Sequence, residues 1–469
     1  MATLVMKFGG SLTADARGIN RVAQVIMAES LAWDHLVVVI SSMAGVTDAL
    51  LQAVERASAH DGPGYRKIVA NLRRKHVEAI ETLIESEALR ADLIEQIDRL
   101  LFDVLSVCDA AFSRREALPR DRDRAMAAGE RMIVRILTAL VRKEGLGAAA
   151  VDAASLIVTD ERHQNANPMP DLIEDRVDQV LRPMIEANFV PLITGFIGAT
   201  RTGAVTTLGR GGSDYTATLL ASSLHADEVW IWTAVDGVMS ADPALVPGAR
   251  VIPVLSYDEV GELSYFGAHV IHTRAAEPLI AGGIPLRVRS PFNLDHAGTL
   301  IQAESADTAS GLKAVTAIDG LYLTTTGHSV DLGEALARIH EIVGRTVAGP
   351  VMVTQSRDRL LFVLVVPTSE GPTAASSAAL RLSVALGTEK WEVRVVKVIA
   401  TMGMGGRQAL SQLATTRIQP LLEAIGPEDR YLLAVSPADV QNVVRHLHEF
   451  TNQPSPTARI SQRGTWPVR

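Results

Sequence analysis

Two glycine-rich stretches carry the residue types that handle phosphate. Lys7-Phe8-Gly9-Gly10-Ser11 follows an apolar run and precedes a helical pattern that Thr13 or Asp15 would cap. Paired glycines let backbone amides approach an anion without an intervening Cβ, the helix offers its positive end, and Lys7 adds a mobile charge. The same pentapeptide also suits an ordinary strand-to-helix turn. Gly209-Arg210-Gly211-Gly212-Ser213-Asp214 is a second glycine loop, entering a helix over residues 215–224. Ser213 is placed to cap that helix, and Arg210 to grip a carboxylate or phosphate through two parallel hydrogen bonds. A solvated turn needs neither three glycines nor a guanidinium among them.

Two further stretches could meet a substrate. Ser41-Ser42-Met43-Ala44-Gly45-Val46-Thr47-Asp48 ends an apolar run in small hydroxyl residues. Ligands of open parallel sheets bind beyond the carboxyl ends of the strands, which puts Ser41 and Thr47 close to one, although both types also cap helices. Gly129-Glu130-Arg131 lies in a helical pattern that begins near Asp123. Glu130 could receive an ammonium group, but a helix-face ion pair is the commoner use of such a residue.

These loops work together only if strands bring their ends to one edge. Short Val- and Ile-rich runs at 4–8, 36–40, 190–194, 228–233 and 286–289 alternate with helical patterns, the form of an α/β domain with a largely parallel sheet buried on both faces. Charged residues spaced among leucines over 65–118 predict a helical insertion or lid. A polar linker at 302–310 separates a different pattern: strands at 312–318 and 321–326, a helix at 331–343, strands at 351–354 and 360–366, and a helix at 374–386. The cycle restarts with a strand at 393–399, a helix near Ala409 and a late helix over 443–450, implying two loosely repeated α+β units.

With 469 residues the chain should hold two or three domains. Its 47% hydrophobic and 21% charged residues are those of a globular protein. A net charge of -8 argues against nucleic acid or an anionic membrane as partner and favours a small metabolite. The single cysteine, Cys108, cannot form an internal disulfide and reads as a buried apolar residue in a reducing compartment. The N-terminus lacks a signal pattern and no run approaches a membrane span, so a cytoplasmic setting is expected.

KFGG near the start, SSMAGVTDALL, GER at 129–131, ITGFIGA, TLGRGGSDYTATLLA, DGVMSADP and SYDEVGELSYFGAHVIH closely resemble, in that order, the aspartate kinases of the amino-acid kinase superfamily. Residues after 310 resemble the paired ACT domains of those enzymes. The resemblance implies an open, mostly parallel sheet sandwiched by helices over 1–301, followed by ferredoxin-like ACT units at 311–388 and 389–469. It implies transfer of the ATP γ-phosphate to the side-chain carboxylate of L-aspartate, with Lys7 and Arg210 catalytic. The implied nucleotide site is Lys7, Phe8, Gly9, Gly10, Ser11 and Ser41 with Thr233, Ala234, Asp236, Met239, Asp242 and His269. The implied aspartate site is Thr47, Glu130, Arg210, Gly211, Gly212, Ser213 and Asp214. Mg²⁺ would ride on phosphate oxygens with no dedicated protein ligands, an amino-acid effector would bind the ACT units, and pairing of those units would give a homodimer or higher homo-oligomer.

The sequence departs from that pattern at several places. Leu12 replaces a hydroxyl residue, Ala234 an acid, Met239 a tyrosine, Ala244 a cation, and His269 a lysine. The effector turns, 324–329 and 401–406, differ from the family's glycine-rich form. A non-catalytic amino-acid sensor, or a kinase with another acidic acceptor, is the competing expectation.

Overall fold

Unbroken apolar runs become the inner strands of a parallel sheet, where both faces are covered. In the computed structural model, which describes residues 1–268, 270–304, 311–325, 330–356, 358–388, 390–403, 413, 419–425 and 431–452, β1 (Thr3–Phe8) pairs in parallel with β2 (His35–Ile40). Leu4, Val5, Met6, Phe8 and residues 37–40 are fully buried. Between these strands runs α1 (Ala16–Ala32), which starts where Asp15 accepts a hydrogen bond from the Gly18 amide at 2.8 Å. The chain continues through α2 (Val46–Ser58), α3 (Gly62–Leu83), α4 (Glu87–Arg114) and α5 (Pro119–Lys143). The helical insertion expected over 65–118 is α3 and α4.

Then come β3 (Ala148–Val151), β4 (Val158–Thr159), α6 (Pro170–Arg176), α7 (Arg182–Glu186), β5 (Val190–Thr194), β6 (Ile197–Thr200) and β7 (Val205–Thr207). They are followed by α8 (Gly212–Leu224), β8 (Glu228–Trp232), β9 (Val254–Ser256), α9 (Tyr257–Tyr265), α10 (Thr273–Gly282), β10 (Leu286–Arg289) and β11 (Thr299–Gln302). The main sheet has the order β3-β5-β2-β1-β8-β10-β11-β9 and is parallel from β3 to β10; β4, β6 and β7 make a small separate sheet.

The C-terminal part holds β12 (Leu312–Thr325), α11 (Leu332–Val343), β13 (Pro350–Gln355), β14 (Leu360–Val365), α12 (Ala374–Leu386), β15 (Trp391–Gly403), β16 (Leu422–Ile425), β17 (Tyr431–Val435) and α13 (Val440–His448). Its strands form one antiparallel sheet, β13-β14-β12-β15-β17-β16. Two strands expected at 312–318 and 321–326 are a single strand. Asp319, between the two expected strands, stays in register opposite Lys397 and pairs with it at 2.9 Å. The helix expected near Ala409 and residues 326–329 and 404–406 of the effector turns lie outside the described residues.

The chain divides into two compact units, residues 1–237, 255–257 and 271–304 in one, and 238–254, 258–270 and 305–469 in the other. Two segments within the 1–301 expected as one domain, 238–254 and 258–270, group with the C-terminal sheet. Ala241 and Val246 share a buried cluster with Leu312, Leu433 and Leu447. No helix among the described residues is long and apolar enough to cross a membrane.

Candidate active site

The site sits where three strand ends of the first unit converge. β1 and β2 run side by side with Phe8 opposite Ile40, so the turns that follow them emerge together. Gly10 is what lets them touch, because a Cβ there would lie 2.6 Å from the Ser42 carbonyl oxygen. β5 lies on the other side of β2, with Thr194 opposite Ile40, and brings Phe196 to the same edge. The second glycine loop closes the site as it enters α8. Gly211 (φ +70°) is the N-cap of that helix, and no side chain caps it; Ser213, expected in that role, lies inside the first turn.

These turns enclose a cavity of about 370 Å³. Lys7, Gly10, Ser11, Ser41, Thr47 and Glu130 line it, as do Gly211, Gly212, Ser213 and Asp214. Two sequence motifs far apart in the chain therefore face one space. Ser42, Met43, Ala44, Gly45 and Asp48 also line it, beyond the Ser41 and Thr47 that the strand-end rule singles out in the same stretch. Phe196 and Gly209 complete the wall. The strand-end rule would have found Phe196, which immediately follows the β5 turn.

Other expected residues lie elsewhere. Arg210 is exposed at the tip of the glycine loop, with its neighbours but not itself lining the cavity. Phe8 is fully buried and stacks on Trp232 with ring centroids 5.7 Å apart, while Gly9 lies beside the Lys7 ammonium. Thr233 donates its amide to the Arg289 carbonyl at 2.8 Å, Ala234 is exposed, and Asp236 accepts from Asn293 at 2.9 Å. Met239 and Asp242 belong to the second unit, where Met239 bridges to Val251 and Asp242 accepts from the Ala244 amide at 2.9 Å. His269 lies outside the described residues.

Charge within the cavity is arranged as two poles. Lys7 Nζ pairs with an Asp214 carboxylate oxygen at 2.6 Å, both side chains largely buried. Glu130, only 3% exposed, accepts from the Ser42 amide at 3.1 Å through Oε1, whereas Oε2 is buried with no protein partner. Burial pushes its carboxyl up to about 7, and the Ser42 amide partly offsets this. A buried carboxylate oxygen without a donor is costly, and it is well matched to a cationic ligand that supplies one. Ser42 Oγ and Thr47 Oγ1 lie 2.6 Å apart beside it, a second polar contact for the same ligand. The cavity thus offers a cation and glycine amides for phosphate and a carboxylate for an ammonium group.

The chain is similar to known proteins. The amino acid kinase family model matches residues 2–290. Aspartokinase 3, chloroplastic, of Arabidopsis thaliana is 36% identical over 307 residues, covering 64% of this chain and 53% of that protein. A bifunctional aspartokinase/homoserine dehydrogenase 2 of Zea mays is 29% identical over 413 residues, covering 85% of this chain and 44% of that protein. The chain spans about half the length of the curated relatives it matches. Among solved structures, E. coli aspartokinase III in complex with aspartate and ADP is 27% identical with a TM-score of 0.74, covering 95% of this chain and 99% of that one. The same enzyme in complex with lysine and aspartate gives 26% and 0.79 over the same shares. With well over half of its length matched by the family model, this chain belongs to the amino acid kinase family.

Proposed function

We propose that the chain is an aspartate kinase, transferring the γ-phosphoryl group of ATP to the side-chain carboxylate of L-aspartate. The observation that carries this reading is the unpartnered, buried Oε2 of Glu130 facing the cavity that also holds Lys7 and the glycine loop. An α-ammonium group satisfies Glu130, and Ser42, Thr47 and Ser213 surround the rest of a small amino acid. Arg210, on the glycine loop beside it, reaches in to hold a carboxylate once substrate is bound.

The acceptor needs no general base, because an aspartate carboxylate is ionised at neutral pH. One carboxylate oxygen forms a bond to the γ-phosphorus as the bond to the β,γ-bridging oxygen breaks, and ADP leaves with the charge. Catalysis then reduces to alignment and charge stabilisation. Gly9, Gly10 and Ser11 cradle phosphate oxygens, and Lys7 exchanges Asp214 for the transferring group. Among the described residues no cluster of three His, Cys, Asp or Glu side chains could cage a metal ion; Mg²⁺ would be carried by the nucleotide's phosphates and neutralise their charge there.

A coupled assay of ADP release with hydroxylamine trapping tests the reading. Aspartate and MgATP should give turnover and a trappable acyl phosphate, and Lys7→Ala or Arg210→Ala should lower kcat/KM by about 100-fold or more. Absence of turnover with aspartate leaves the non-catalytic sensor as the better account. Regulation follows the same similarity: an amino-acid effector binds the second unit, which also mediates homodimerisation through its sheet edges at β13 or β16. A shift in melting temperature with one amino acid of a panel would identify the effector, and light scattering the assembly.

A further inference from the structure

A carboxylate outside the cavity holds up one of its walls. Asp123 lies on α5 seven residues before Glu130, on the same helical face and about 10 Å along the axis. It is fully buried, and His163 is its basic partner. Its Oδ1 accepts from Thr207 Oγ1 at 2.6 Å and from the Gln164 amide at 3.0 Å; its Oδ2 accepts from His163 Nδ1 at 2.7 Å and from the same amide at 3.1 Å. Burial pushes its carboxyl upward and these donors oppose that.

The donors are informative because of what they precede. Thr207 ends β7, and Leu208 alone separates it from the glycine loop. The Gln164 backbone, held at φ +67°, lies directly beneath that loop: a Cβ on Gly209 (φ +77°) would come within 3.1 Å of the Gln164 carbonyl oxygen and 2.8 Å of Asn165 Oδ1. Arg274 clamps the same segment through Asn165 at 2.7 Å and Asn167 at 3.1 Å. One carboxylate therefore fixes both the strand that feeds the glycine loop and the segment the loop rests on.

We propose that Asp123 is a positioning residue that sets the glycine loop at a fixed distance from Glu130, with α5 as the rigid spacer between the two poles that hold the amino-acid substrate. This deepens the aspartate kinase reading and rests on it. Asp123→Asn keeps the shape but replaces a four-bond acceptor with one that has a single acceptor oxygen.

In that variant the KM for aspartate should rise about tenfold with the KM for ATP within about twofold of wild type. Hydrogen exchange at amides 208–213 should quicken in the free protein. Thr207→Val, which removes one donor and leaves the carboxylate, should move both readouts the same way by a smaller factor, and it decides the matter if Asp123→Asn does not fold. Wild-type KM for aspartate and wild-type exchange at 208–213 in a folded variant overturn the proposal, as does a loss confined to kcat. Wild-type protein inactive on aspartate would instead defeat the kinase reading, and the exchange measurement would still judge the loop's dependence on Asp123.

Discussion

At the scale of single residues, Glu130 bears the most consequence. Its burial raises the carboxyl to about 7 from its ordinary 4.5. Between those pH values the folded chain holds a proton that the unfolded chain has released, so the stabilisation is present below pH 4.5 and lost as pH rises through 7. Glu130→Gln removes that penalty and should stabilise the protein at pH 8 by on the order of 2–3 kcal/mol, read by urea denaturation. The same change should raise the KM for aspartate by about 30-fold or more, since a charged partner for the ammonium is gone. In wild type the KM should rise as pH falls below 7, and in Glu130→Gln that slope should vanish. A retained slope would assign the titration to another group. Sequence reasoning named Glu130 but ranked an exposed ion pair above an ammonium site, because helical spacing gives no burial. The 3% exposure and the orphan oxygen are properties of what packs around α5.

At the scale of elements, α3 does two things that its pattern did not reveal. It supplies Lys75, whose ammonium donates to the Ala44 carbonyl at 2.6 Å and so steadies the turn that leads into α2, where Thr47 sits. It also buries His76, with Nδ1 on the Leu72 carbonyl at 2.8 Å and Nε2 without a partner. Burial depresses that imidazole to about 4. From pH 6.5 downward the unfolded chain takes up a proton that the folded chain refuses until about 4, so stability falls with pH across that window. His76→Leu should lessen acid destabilisation at pH 4.5 by up to about 3 kcal/mol relative to pH 7, measured as the change in urea midpoint. Equal pH dependence in the two proteins would show that His76 is not what yields in acid. The helices and strands themselves were legible: residues 190–194, 286–289 and 374–386 are elements with the expected ends. The strand β12 was not, since a polar residue that pairs across a sheet is indistinguishable in sequence from one in a turn.

At the scale of the molecule, the second unit recruits residues that precede it by far in the chain. Ser240 accepts the Val315 amide at 2.9 Å and its hydroxyl lies 2.8 Å from His448 Nε2, while Arg445 donates to the Leu245 carbonyl at 2.9 Å. α13 is therefore not an appendage: Val443 and Leu447 are fully buried in the cluster with Ala241 and Val246. Leu447→Ala should cost about 3 kcal/mol, visible in denaturant unfolding, and a loss under about 1 kcal/mol would mean that the site collapses around the gap.

Residue types in order along the chain determined the alternation of strand and helix, the two glycine loops and the family resemblance, because each depends on local stereochemistry or on short spacing. Only the tertiary structure decided that Lys7 meets Asp214, that Glu130 is buried with one oxygen unanswered, that Arg210 stands outside the cavity, and that Asp123 ties β7 to the loop under Gly209. Those are facts about burial and long-range contact, set by which strand lies beside which, and no local pattern contains them.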